Sequence, residues 1–313
     1  MRALVAGVDL GGTNIATAVV APSGRILGRD RRPTRSEDGA KSVLARMADS
    51  VRFAAAAAGC DVRDLAAVGV GSPGPLDPVR GVVLYSENLR WRNVPLADIL
   101  RRDLGRRVFL ENDANVAALG EAWAGAWRGE PVVLCVTLGT GVGGGLIYDG
   151  RIYRGAWDIG IEIGHIVVEP DGPTTRYGNR GVLEQYASAT GIVRMALQAG
   201  LRPRAGEGEL SALSVMERAR GGDVRARRVY LQAGRFLGVG LTTAIHLLNP
   251  SMVVFAGGVS RAGKLLFDPM RRELRERCFR ASLKGVKFRC AKLGNDMGAV
   301  GAARLAYQGL GMK

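Results

Sequence analysis

Histidine and cysteine are scarce in this chain. Two histidines occur in 313 residues, and the four cysteines (Cys60, Cys135, Cys278, Cys290) are scattered without a CxxC pair. That argues against a disulfide scaffold and reads as reduced thiols packed as small hydrophobes, an expectation of a cytoplasmic protein. No apolar run reaches the roughly 18 residues that a membrane span needs. The opening stretch, Met1 to Val8, meets Asp9 too early to form a secretory signal core and reads as a first strand. Aromatic residues make up 6% of the chain and do not alternate with the basic runs. An RNA or single-strand platform would want that alternation. Acidic residues are outnumbered, 29 against 44 Lys and Arg, for a net charge of +15. The basic runs DVRARR and MRRELRERCFR sit on expected helices, where such charge forms a solvated face. The surplus is read as a general attraction for anionic ligands, with neither nucleic acid nor membrane as a partner.

What is present is an alternation of strands and helices. Residues 3–9 and 15–21 are β-rich runs joined by Leu10-Gly11-Gly12-Thr13-Asn14, and a third run follows Pro22-Ser23-Gly24. A helix is expected over 39–59, a strand over 66–71, a helix over 95–104 and a strand over 107–111. Apolar strands at 131–138 and 141–148 flank Gly139-Thr140, and a long helix covers 223–248. A buried strand over 251–256 ends in Gly257-Gly258, and a helix over 296–309 closes the chain. The reading is an α/β protein of two lobes with a cleft between them. The first lobe spans 1–115, with the closing helix, 298–313, returning to it, and the second spans 116–297.

Three segments carry chemistry. In Asp9-Leu10-Gly11-Gly12-Thr13-Asn14 a strand-end carboxylate precedes a turn whose backbone can approach a phosphate. Asp9 could hold Mg²⁺ through water there, although an ordinary hairpin turn would use the same residues. The segment is neither a Walker A loop nor a dinucleotide GxGxxG. Thr137 to Gly145 packs five glycines and two threonines into nine residues, which a second phosphate turn would justify. Glu111-Asn112-Asp113-Ala114-Asn115 ends a strand and starts a helix. Asp113 reads either as the helix N-cap or as a general base for a substrate hydroxyl. Asn112 would then meet a sugar hydroxyl with both amide donor and acceptor. His246, within Ala244-Ile245-His246-Leu247-Leu248, reads as a satisfied helix histidine.

Together, DLGGTN, GSPGPLD (71–77), ENDAN, TLGTGVGGG, EIGH, GNRGVLE, AGG and LGNDMGAVGAA resemble the ROK family of sugar kinases, in order and across nearly the whole chain. The tone is most similar to the family's bacterial glucokinases. The resemblance implies an actin-like fold of the sugar-kinase and heat-shock ATPase type, and ATP-dependent phosphorylation of a hexose, glucose first. It implies Asp113 as the base that takes the 6-hydroxyl proton, with Asn112, Glu162, His165, Glu184 and Gly74 around the sugar. Gly11, Gly12 and Thr13 resemble the first phosphate loop, Thr140 and Gly141 the second, and Gly257-Gly258 the turn against adenosine. Asp9 matches the carboxylate near Mg²⁺. Other hexoses (N-acetylhexosamine, fructose, allose, mannose), polyphosphate as donor, and a sugar-sensing regulator are alternatives within the family. The last is disfavoured because the first strand starts at residue 3, leaving no room for a DNA-binding module. A homodimer or homotetramer is expected.

One departure stands out. Where many members hold a structural zinc with the histidine of ExGH and three cysteines, this chain has Thr175, Tyr177 and Val182. Only His165 of the four ligands remains, so no zinc is expected. The Tyr177 ring and the packing of Val182 are expected to hold His165 and its loop instead.

Overall fold

The computed structural model describes residues 3–312 apart from 126, 128, 176 and 205. In chain order, β1 (Leu4–Leu10), β2 (Asn14–Val20) and β3 (Ile26–Pro33) lead to α1 (Gly39–Ala57) and β4 (Leu65–Ser72). Short strands β5 (Leu76–Asp77), β6 (Val82–Ser86) and β7 (Trp91–Val94) precede α2 (Leu96–Leu104), β8 (Arg107–Asn112) and α3 (Asp113–Ala124). Next come β9 (Val132–Leu138), β10 (Val142–Tyr148), β11 (Arg151–Tyr153), α4 (Glu184–Ala187), α5 (Ala189–Gln198) and α6 (Ala212–Arg220). The chain ends with α7 (Val224–Leu248), β12 (Met252–Ala256), α8 (Lys264–Arg277), α9 (Arg280–Leu283), β13 (Lys287–Cys290) and α10 (Met297–Gly309).

These elements form two compact units: residues 1–131, 145–161 and 291–313 in the first, 132–144 and 162–290 in the second. The division follows Pro131, not residue 115, because α3 packs against α10 and stays with the first unit. The hairpin of β10 and β11 also sends residues 145–161 back to the first unit.

The sheet of the first unit has the order β3-β2-β1-β4-β8. β1 pairs antiparallel with β2 and parallel with β4, and β4 pairs parallel with β8. The alternation of β1 sends Ala6, Val8 and Leu10 into a core under α1 and α2. Val5 goes to the opposite core under α10. On that second face the residues are very small, and the reason is distance. A Cβ on Gly7 would overlap the Ala299 carbonyl oxygen, and one on Gly69 would overlap that of Ala302. Backbone therefore lies on backbone, and α10 seals the face that carries Asp9 at its end.

In the second unit, β12 runs parallel to both β9 and β13. β12 is buried throughout, as an apolar strand between two neighbours should be. The long α7 packs against α8, with α4, α5 and α6 alongside it. Among the described residues no helix is long and apolar enough to cross a membrane.

Candidate active site

In the first unit the parallel strands β1, β4 and β8 bring their carboxyl ends together. Asp9 lies opposite Gly71, Gly71 opposite Glu111, and Ser72 opposite Asn112. Chains leave a parallel sheet at this edge, and ligands of α/β proteins gather there. The turn after Asp9 is held by Gly11 N–H donating to Asn14 O at 2.9 Å, while the Thr34 hydroxyl donates to Gly11 O at 2.6 Å. Gly74 has φ 98°, and a Cβ there would overlap the Tyr85 carbonyl, so its loop lies flat on β6.

The N-cap of α3 is Asn112, not Asp113. The Asn112 Oδ1 accepts from the amides of Ala114 (2.9 Å) and Asn115 (3.3 Å). The register explains the shift: Asn112 still pairs with Ser72 in the ladder, so it is the last extended residue. Its carbonyl oxygen is therefore committed to the helix, and only the Nδ2 amide group is left for a ligand, not both ends of the side chain. Asp113 is the first helical residue, and its Oδ1 accepts from the Ala114 amide at 2.8 Å. Burial pushes its carboxyl above the ordinary range, against the pull of that amide.

Asp9 is pushed up to about 7, first by burial and then by the charge of Asp113, with Arg31 acting in the opposite direction. Asp9, Ala16 and Arg31 form one cross-strand row through β1, β2 and β3, which puts the arginine on the same sheet face. Composition and spacing alone do not mark Arg31; the hairpin register is the signal that singles it out. Two buried carboxylates, one of them raised by the charge of the other, fit a hard divalent cation, which would relieve the repulsion. A Cβ on Gly298 would overlap the Asp9 carboxylate, so the start of α10 also borders this group.

The second unit supplies the other candidates. Glu184 Oε2 accepts from Val142 N–H at 3.0 Å, and a Cβ on Gly141 would overlap that oxygen. Glu184 is thus a brace for the Gly139–Val142 turn. Two residues that sequence reasoning missed complete the brace. Thr190 Oγ1 donates to Thr140 O at 2.6 Å, and the Ala189 amide donates to Gly139 O at 2.8 Å. Gly257 follows Ala256, which pairs with Thr137, and its φ of 87° lets it sit against the Leu138 carbonyl. Gly257 therefore lies against the end of β9, just before the Gly139–Val142 turn. Glu162 is exposed and immediately precedes a one-turn 3₁₀ helix, Ile163–His165.

Asn179 is the main anchor of His165. Its Nδ2 lies 3.0 Å from His165 Nδ1. With the amide donating, the neutral ring carries its proton on Nε2. Asn179 is itself fixed: the Thr175 hydroxyl donates to its Oδ1 at 3.0 Å, and the Thr175 amide to its carbonyl at 2.7 Å. The Tyr177 ring stands 6.1 Å away and tilted, a flanking contact rather than the support. Val182 is fully buried and bridges Val167, closing the loop. Among the described residues no three His, Cys, Asp or Glu side chains gather as a metal site. His246 is exposed on α7, and its Nε2 accepts from the Phe279 amide at 2.9 Å.

Comparison with known proteins bears on the whole chain. The model of the ROK family matches residues 5–309. A glucokinase of Thermotoga maritima is 38% identical over 97% of this chain and 98% of its own length. The crystal structure of a ROK hexokinase from Thermus thermophilus superposes with a TM-score of 0.83 at 35% identity, covering 98% of this chain and 99% of that one. A ROK family glucokinase from Streptomyces griseus, solved with glucose and AMPPNP, gives 0.79 at 38% identity, over 97% and 99%. The fold is thus that of the actin-like ATPases. Matched from end to end, the chain belongs to the ROK family.

Proposed function

We propose that the chain phosphorylates glucose with ATP, giving glucose 6-phosphate and ADP. The observation that carries the reading is the pair of carboxylates at the strand ends, Asp9 and Asp113, both with raised proton affinity. A base for a sugar hydroxyl works best when its pKa lies near the operating pH, and burial moves Asp113 in that direction. Asp113 accepts the proton as the 6-hydroxyl oxygen attacks the γ-phosphorus, and the bond to the β–γ bridging oxygen breaks. Asn112 donates from Nδ2 to a neighbouring hydroxyl, and Glu162, His165 and Glu184 hold the rest of the ring. The Gly11–Thr13 and Thr140–Gly141 turns receive phosphates, and Gly257-Gly258 lies against the adenosine. Asp9 would hold Mg²⁺ through water, and the bound ion would neutralise phosphate charge. Arg31, on the same face, adds a fixed positive charge.

The test is a coupled assay of wild type and Asp113→Asn across hexoses, with ATP and with polyphosphate as donors. Glucose with ATP is expected to be the best pair, and the variant to lose about 10²–10⁴-fold in kcat while still binding sugar. Wild-type turnover in the variant would remove the base assignment. No transfer to any hexose from either donor would leave a sugar sensor as the better reading.

A further inference from the structure

We infer that Glu111 and Arg154 are positioning residues for phosphoryl transfer, locking the corner where β8 becomes α3. The inference rests on the reading of Asp113 as the base. Glu111 is 1% exposed, yet both its oxygens are engaged. Oε1 accepts from the Asn112 amide at 2.9 Å and from Asn115 Nδ2 at 3.1 Å. Oε2 accepts from Arg154 Nε at 2.6 Å. The two Oε1 bonds bracket Asp113 from either side in sequence, and Asn112 Oδ1 holds the amides of residues 114 and 115. Asp113 is therefore placed by its backbone, and that backbone is tied to one buried anion.

An isolated carboxylate at that depth would be protonated or expelled. Arg154 supplies the compensating charge from the segment after β11, 43 positions along the chain. Its own carbonyl accepts from the Gly160 amide at 2.8 Å, closing the loop that runs on to Glu162. One arginine thus steadies both the corner carrying the base and the root of the segment leading to a sugar-binding residue. For stability alone such a buried pair is a poor device, since apolar residues of equal volume serve as well or better. Geometry is what it delivers, through charge-assisted bonds of fixed direction.

The experiment compares Arg154→Gln, Glu111→Gln and the double variant with wild type and with Asp113→Asn. It measures kcat, KM for glucose and ATP, glucose affinity by tryptophan fluorescence, and the folded fraction. Arg154→Gln leaves Glu111 uncompensated. A drop of about 10²-fold in kcat per folded molecule is expected, with glucose affinity within about threefold of wild type. Adding Glu111→Gln removes the stranded charge and keeps an acceptor for the Asn112 amide. The double variant should recover about tenfold. Even if Arg154→Gln proves insoluble, Glu111→Gln and the double variant still decide the matter: both should fold, and Glu111→Gln should lose about tenfold in kcat. Wild-type kcat in Arg154→Gln or Glu111→Gln, a loss that follows only the folded fraction, or no recovery in the double variant would overturn the positioning role alone. Wild-type turnover in Asp113→Asn would overturn the base assignment and this inference with it.

Discussion

Removal of the Glu121 carboxylate should loosen one segment before it loosens the whole protein. Glu121 lies on α3 and is fully buried. Its Oε1 accepts from the amides of Lys292 (2.9 Å) and Leu293 (2.7 Å), and its Oε2 from the Trp127 indole at 3.2 Å. Residues 292 and 293 lie where the chain leaves β13 for α10. Glu121→Ala leaves two backbone donors without acceptor, at about 1–3 kcal/mol each. Water entering the polar cavity would offset part of that, leaving about 2–3 kcal/mol in total. Since about 1.4 kcal/mol is a factor of ten, amide exchange at Lys292 and Leu293 should accelerate by roughly 30–150-fold. Glu121→Gln keeps an oxygen for the two amides and loses only the indole bond, so its effect should be smaller. Hydrogen exchange resolved at these two amides is the assay. Rates in Glu121→Ala within about twofold of wild type would show that the carboxylate does not hold the segment.

Two further expectations follow from the site. The folded-state pKa of Asp9 lies above its unfolded value, so the ionised group is disfavoured in the folded protein. Ligand-free stability from this group should fall as pH rises from about 4 to about 7. Asp9→Asn should flatten that slope in thermal scans, and identical slopes in both proteins would refute the cause. Asn179→Ala removes the partner of His165 Nδ1 and should raise the glucose KM about tenfold with the ATP KM unchanged. Equal rises in both, or none, would mean that the amide does not orient the imidazole for sugar.

Much of this architecture was readable in the chain because local and global signals agree. Asp9 to Asn14 turns where a carboxylate, two glycines and a small polar residue break two β-rich runs, and β1 and β2 pair across it. The helix over 224–248 carries an apolar stripe long enough to leave no ambiguity. What escaped depended on register or on distance along the chain. Asn and Asp both cap helices well, and only the ladder pairing of Asn112 with Ser72 decides between neighbours. The strands β5 to β7 are two to five residues long, too short for any period to emerge. Glu111 reads as one more polar residue at a strand end until Arg154 is folded onto it. The missing thiolates at Thr175, Tyr177 and Val182 were plain in the sequence. That an asparagine four residues after Thr175 would take up the histidine was not, because the turn geometry that aims it has no compositional signature.

The return of α10 to the first sheet has a consequence for biosynthesis. The strands of that sheet lie within residues 4–112, but the helix that covers one of their faces begins only at Met297. At about 5–20 residues per second, roughly 10–40 seconds separate the two. Throughout that interval the face built around Gly7 and Gly69 lacks α10, and the second unit, residues 132–144 and 162–290, is complete before that helix is made. A nascent chain of this design depends on keeping an open glycine-lined sheet from pairing wrongly until α10 arrives.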